Sequence, residues 1–285
     1  MDQVAAAGGK RRQQDWSNAL ATPIRFCPVT KTHQPRYFFQ EFDIVGHPET
    51  NEAWFAPNNE SFEHVQAHNA KQANRRGTAK TTTYLDKQPA VSQGQDGELP
   101  PKLSCYATSQ SSIIEALGVN KKKIQGQLLG TRTGMGVSPK ARAPVWRHDM
   151  ARVVLETMQR EATDALILRA AAAAGSKFVQ PCLTWEDIRA VTSRGCILWL
   201  PDNKDETVAR QYATYDIQDA KYGSKMVVHN LYWLLGEEHV ARLRADSEIF
   251  RDNDLLVLKT WRSKSMRQLH MLLWRLQGYL DVPNS

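Results

Sequence analysis

No uninterrupted apolar stretch among the 285 residues approaches the roughly 20 that a bilayer-spanning helix needs. The nearest candidate, Ala165 to Gly175, is broken by Arg169, so a membrane span is excluded. Cysteine is scarce, and Cys27, Cys105, Cys182 and Cys196 form no close pair of the kind that ligates zinc. Four separated thiols without a recognisable secretory signal fit a reducing compartment better than a disulfide framework, and they read as core or surface thiols. Nucleotide and covalent-hydrolase signatures are lacking too. The run Gly130-Thr-Arg-Thr-Gly-Met-Gly136 has no Gly-Lys-Ser/Thr ending to cradle a phosphate, and neither a Gly-x-Ser-x-Gly elbow nor a local Cys-His signature occurs. No cofactor and no metal site is therefore expected.

What is present is an ordinary globular composition with a basic excess. Hydrophobic residues make up 41% and charged residues 24%, which is enough apolar material for a core and excludes wholesale disorder. Lys and Arg total 37 against 30 acids, a formal charge of +7 that favours polyanionic partners. The excess is concentrated. Between Lys121 and Arg152 stand eight basic residues against Asp149 alone, a local charge equal to that of the whole chain.

Along the chain the first 35 residues read as a flexible basic extension, opening on small residues and Lys10-Arg11-Arg12. Residues 36–143 read as aromatic strand-like elements, a long irregular polar stretch, and a basic arm. The run Arg36 to Val45 is rich in aromatic and branched residues, and Ala53-Trp54-Phe55 follows turn-forming residues. Cys105 to Ala107 precede a short helix in which Ser112 and Glu115 have capping-box spacing and Gly118 is the expected stop.

Residues 144–285 read as a mixed α/β core. Pro144 opens a predicted helix to about Ala174, roughly 45 Å long, because Met150, Val153, Val154, Met158, Ala162, Ala165 and Leu168 recur near helical spacing. A second helix, capped at Thr184 and Asp187 and closing at Gly195, feeds a strand at Cys196 to Leu200. Strands are expected at Gln211 to Ile217, Lys225 to His229 and Asp254 to Thr260, and helices at Leu231 to Ala245 and Lys264 to Gln277. In the last helix Met266, Leu269, Leu273, Leu276 and Leu280 form an apolar stripe, with Lys264, Arg267 and Arg275 facing elsewhere and Gly278 as the stop. The fold class is thus α/β or α+β, a mixed sheet with packed helices in the C-terminal half and long irregular, basic N-terminal extensions.

The strongest functional signal is the basic arm. Lys121, Lys122, Lys123, Arg132, Lys140, Arg142 and Arg147 lie on a Gly/Pro-interrupted segment that can follow an irregular phosphate backbone and release its counterions. A solvated loop without a partner is the bland alternative. His64 and His68 stand one helical turn apart beside Glu63, but a zincin needs Glu where this chain has Val65. Pro201-Asp202 and Asp219-Ala220-Lys221 match a loose nuclease pattern, in which Asp202 and Asp219 would hold Mg²⁺ and Lys221 would steady the attacked phosphate. Those short motifs also read as a turn and a charged strand exit. Glu237-Glu238-His239 follows Gly236 and reads as helix capping rather than acid/base machinery. Trp146, Trp185, Trp199, Trp233, Trp261 and Trp274 read as core anchors rather than base-stacking platforms.

Six blocks together resemble fungal mitochondrial ribosomal or ribosome-associated proteins. They are Arg36-Tyr-Phe-Phe-Gln-Glu-Phe, His47-Pro-Glu-Thr, Val145-Trp-Arg-His-Asp-Met150, Ile197-Leu-Trp-Leu200, Val228 to His239 and Leu272 to Leu280. The resemblance implies a structural, non-catalytic component of a ribonucleoprotein, with rRNA and neighbouring ribosomal or assembly proteins as partners. It implies the mitochondrial matrix, although Asp2 and Asp15 interrupt the usual acid-poor presequence pattern and a nuclear or cytoplasmic basic factor is the alternative. It assigns no catalytic residue, and the Mg²⁺-dependent nuclease reading is the enzyme alternative.

Overall fold

A computed structural model of the protein describes residues 20–47, 49–50, 52–58, 104–119, 126, 128–129, 144–171, 178–201, 213–217, 225–260 and 264–281. The architecture is mixed α and β, with a mixed sheet and its packed helices in the C-terminal half. That sheet runs in the order β6 (Val179–Pro181), β10 (Leu255–Lys259), β7 (Arg194–Trp199), β9 (Lys225–Asn230), β8 (Ala213–Asp216). β7 and β9 are parallel, with Ile197 opposite Val228, while the remaining neighbours are antiparallel. Both faces of this sheet are covered, which explains why β7 and β10 read as continuous apolar runs instead of alternating patterns.

On one face Cys196, Leu198, Leu256 and Leu258 meet the helices α2 (Met150–Ala171), α3 (Leu231–Asp246), the short α4 (Glu248–Asp252) and α5 (Lys264–Leu280). On the other, Ile197, Val228 and Val257 pack with Ile188, Val191, Trp185 and Tyr215. The stripe expected on α5 is buried: Met266, Leu269, Leu273 and Leu276 all lie in the core, each such side chain contributing about 1.5–3 kcal/mol. Arg275 does not face elsewhere. Its guanidinium is turned against Phe39 and Gln40 of the N-terminal part of the chain.

That N-terminal part begins with a hairpin, β1 (Ile24–Cys27) and β2 (Thr32–Pro35), within the residues expected to be a flexible extension. A lone two-stranded hairpin is marginal in water, and this one lies against β5 (Ser104–Thr108), with Cys27 buried beneath it. A 3₁₀ turn at Arg36–Phe38 leads into β3 (Phe39–Gly46), the centre of a three-stranded antiparallel sheet with β4 (Ala53–Asn58) and β5. Phe42, Phe55, Cys105 and Ala107 from this sheet, and Ile114 and Leu117 from helix α1 (Ser111–Val119), belong to the same hydrophobic cluster as α2, α3 and α5. The described residues before and after Pro144 therefore share one core.

The long helix starts six residues later than Pro144. Val145 is used instead as a strand-like bridge: its N–H donates to Ala53 O at 2.7 Å, and its carbonyl accepts from Phe55 N at 3.0 Å. Trp146 is buried between Phe42 and Phe55. Over its 22 residues α2 is about 33 Å long, and its buried positions step by four through Met150, Val154, Met158, Ala162, Leu166 and Ala170, leaving Leu168 exposed. Helix α1 runs through Gly118, and α5 runs through Gly278. The helix expected from Thr184 is a single 3₁₀ segment, Glu186–Ala190, whose Asp187 carboxylate accepts the N–H groups of Leu183 and Thr184. Gly236 has φ +77° and breaks α3 into two segments, placing Glu237 and Glu238 at a helix restart, as the capping reading expects.

Gly195 lies inside β7 for a steric reason. A Cβ there would stand 2.5 Å from His270 Cε1 and 2.6 Å from the carbonyl oxygen of Leu258. The backbone contact cannot relax without moving β10, so Gly195→Ala is expected to destabilise the protein by about 1–3 kcal/mol, read as a lower urea midpoint at unchanged m-value. An unchanged midpoint would mean that the two strands part at no cost.

Candidate functional site

Of the arm residues expected to touch phosphate, Lys121, Lys122, Lys123, Arg132, Lys140 and Arg142 lie outside the described residues. Arg147 is described and half-exposed at the start of α2. Its Nε and Nη2 each donate to the carboxylate of Asp149 at 2.9 Å. Asp149 also accepts from Arg152, which in turn pairs with Glu156. The Arg147 guanidinium holds the Asp149 carboxyl down to about 2, so the acid is ionised and offsets Arg147 locally. Arg147 thus belongs to an ion-paired clip at the helix start, where an acid also suits the macrodipole.

Asp202, Asp219 and Lys221 lie outside the described residues, as do His64 and His68. Pro201 is described, buried just past the end of β7, and Ile217 is buried just past β8. Among the described residues no group of three or more His, Cys, Asp or Glu side chains is placed to hold a metal ion, and no helix is long and apolar enough to cross a membrane.

Two polar clusters emerge that the linear pattern did not show. The first is enclosed between β7, β9 and α5. His270 Nδ1 lies 3.5 Å from Cys196 Sγ, and its Nε2 lies 3.3 Å from Lys259 O. His229, 1% exposed, makes no hydrogen bond at either ring nitrogen, although the Gln277 side chain is near. Burial, reinforced by neighbouring His270, depresses its pKa to about 3, so it is neutral. A Cys-His contact this deep cannot meet a substrate, and it reads as core packing with polar atoms. All four cysteines are buried and unpaired by disulfides.

The second cluster is open to solvent. A cavity of about 290 Å³ separates the 3₁₀ turn from α5 and is walled by Tyr37, Phe38 and Trp274, with Ser109, Gln110 and Arg275 among its polar lining. Arg275 Nη2 donates to Phe39 O at 3.0 Å and to Gln40 Oε1 at 2.9 Å. Tyr37 donates its hydroxyl to Met271 O, and burial raises its pKa, so it stays a neutral phenol. Gln110 Nε2 donates to Asp281 O at 3.0 Å, tying the start of α1 to the chain just beyond α5.

No family model, curated protein or solved structure matches this chain. Only one of the clusters is reachable from solvent. The described tryptophans also divide: Trp146 is a core anchor, whereas Trp185 and Trp199 pack edge-on with Tyr215 alongside, on the face of the sheet away from the helices.

Proposed function

We propose that the protein is a non-catalytic structural or assembly component of a ribonucleoprotein, contacting RNA phosphate through residues 121–142. The observation that carries this reading is the charge distribution, since the segment from Lys121 to Arg152 holds as much net positive charge as the whole chain. Such clustering supplies the sequence-independent part of nucleic-acid affinity by displacing condensed counterions. The segment is attached to folded structure on both sides, by α1 before it and by the Val145 bridge and buried Trp146 after it. A mitochondrial ribosome is the assembly to which the sequence resemblance points.

Replacing Lys121, Lys122, Lys123, Arg132, Lys140 and Arg142 together by Gln is expected to weaken binding to a structured RNA. It is also expected to lower the slope of log K against log salt, by up to about 4 if all six meet single-stranded phosphate. Arg147→Gln is the paired control and is expected to change the slope by less than one unit of that scale, roughly a single contact or none. Unchanged affinity in the six-fold variant rejects the arm as the RNA contact. Sedimentation of the tagged protein with a ribosomal subunit from mitochondria supports the assembly, and a light, RNA-free peak counts against it. RNA cleavage that requires Mg²⁺ and disappears in Asp219→Asn would replace the non-catalytic reading with the nuclease one.

A further inference from the structure

The cavity beside Arg275 differs from the arm in charge. Its lining includes no Asp, Glu, Lys or His, so the Arg275 guanidinium is its single formal charge. Among the described residues that guanidinium has no carboxylate within ion-pair distance. Its Nη2 is held by two neutral acceptors, Phe39 O and Gln40 Oε1, and the other terminal nitrogen has no acceptor among the described residues. Glu41, the acid nearest in sequence to those acceptors, is committed to Arg36 at 2.5 Å. Glu161 and Glu41 act on the Arg275 guanidinium through space but form no direct ion pair with it, and a half-buried guanidinium whose planar donors meet no carboxylate is suited to a carboxylate or phosphate from outside. Ser109 adds a second unspent group, because its Oγ is enclosed without a partner and swings about a single bond.

Size and wall chemistry narrow the ligand. A volume of about 290 Å³ sits at the small end of small-molecule sites, which run from roughly 300 to 1,000 Å³. Three aromatic side chains, Tyr37, Phe38 and Trp274, face this space and favour a flat apolar body. One fixed positive charge with no second cation in the lining matches one negative charge better than two. We propose that this cavity is a binding site for a small monocarboxylate carried on a flat ring, its carboxylate on Arg275 and its ring between Trp274 and the Tyr37-Phe38 turn. The site joins the N-terminal elements to α5, so an occupant bridges parts of the chain far apart in sequence and stabilises the folded state by mass action.

The test uses the full chain and two probes of one shape, benzoate and its neutral analogue benzamide, titrated calorimetrically and by ligand-observed NMR. Benzoate is expected to bind saturably with one site per chain, in the millimolar range or tighter, and benzamide at least about tenfold more weakly. Arg275→Gln should lose the preference for benzoate, and Arg275→Lys should restore part of it. Because Arg275 also supports β3, a second variant leaves it untouched. A Cβ at Gly278 meets nothing within 4 Å, and Gly278 lines the cavity, so Gly278→Leu is expected to fold normally and block benzoate. Equal binding of benzoate and benzamide, no saturable benzoate binding, or full binding by Gly278→Leu would each overturn the proposal. Displacement of benzoate by a trinucleotide RNA but not by other ring carboxylates would also overturn it, assigning the cavity to a phosphodiester instead. None of these outcomes depends on whether the basic arm binds RNA.

Discussion

Trp146→Ala is expected to destabilise the protein by about 3–5 kcal/mol, the range for removing a large buried aromatic side chain. The indole is 4% exposed and lies where the two halves of the core meet. Its ring centroid is 4.9 Å from that of Phe42 on β3 and 5.3 Å from that of Phe55 on β4. On the α1 side, a Cβ at Gly118 would lie 3.6 Å from the indole. Collapse cannot easily fill the space left, because Phe42 and Phe55 are themselves fully buried and held by strand pairing to β5 and to Val145. The loss should appear as a lower urea midpoint. The 92%-exposed Leu183 provides a control, since Leu183→Ala is expected to stay within about 0.5 kcal/mol of the parent. A Trp146→Ala variant within 1 kcal/mol of the parent, on the order of one surface substitution, would show that the indole is not a keystone.

This residue also shows where sequence reading works and where it stops. The tryptophan is recognisable as a core anchor from its apolar surroundings, but nothing in the linear pattern says that Val145 beside it is spent on a backbone bridge to Ala53 and Phe55. That long-range pairing moved the helix start from Pro144 to Met150. β7, β9, β10, α3 and α5 were legible because long periodic or continuous apolar runs encode them locally. The β1–β2 hairpin was not. Its strands are four residues each, and they depend on β5, some eighty residues downstream.

The same limit governs the candidate sites. The charge of the arm is a property of composition and could be counted directly. Arg275, by contrast, sits at a polar position on an amphipathic helix, which predicts solvent. It instead meets Phe39 O and Gln40 Oε1 because the 3₁₀ turn and β3 pack over that side of α5. The nearness of Cys196 and His270 is likewise tertiary, since they stand 74 residues apart and no local motif links them. Glycine carried one missed clue: Gly195 resembled a helix stop, yet it is required by the approach of His270 and the Leu258 carbonyl.

Acid is expected to weaken the fold between pH 6.5 and 4.5, with His229 as the main cause. The pKa of its ring falls from an ordinary 6.5 to about 3, first through burial and then through the neighbouring His270. Below pH 6.5 the unfolded chain gains a proton at this residue that the folded protein does not take until about pH 3. Unfolding is thereby favoured, so the contribution to stability is fully present above pH 6.5 and is lost as pH falls towards 3. At 1.36 kcal/mol per unit, the two units down to pH 4.5 amount to roughly 2–3 kcal/mol. The ion-paired carboxylate of Asp149, also depressed to about 2, acts in a lower window, as pH falls below its ordinary value of 3.8. Urea unfolding at half-unit pH intervals should therefore show stability falling with acid in the parent protein well before the Asp149 window. His229→Gln keeps a polar side chain of similar reach but cannot titrate, and its profile should be nearly flat over the same interval, whatever its absolute stability. If the variant keeps the parent's slope, the depressed group is not His229; transfer of the flat profile to His270→Gln would identify the other ring of the same buried cluster as the one that resists protonation.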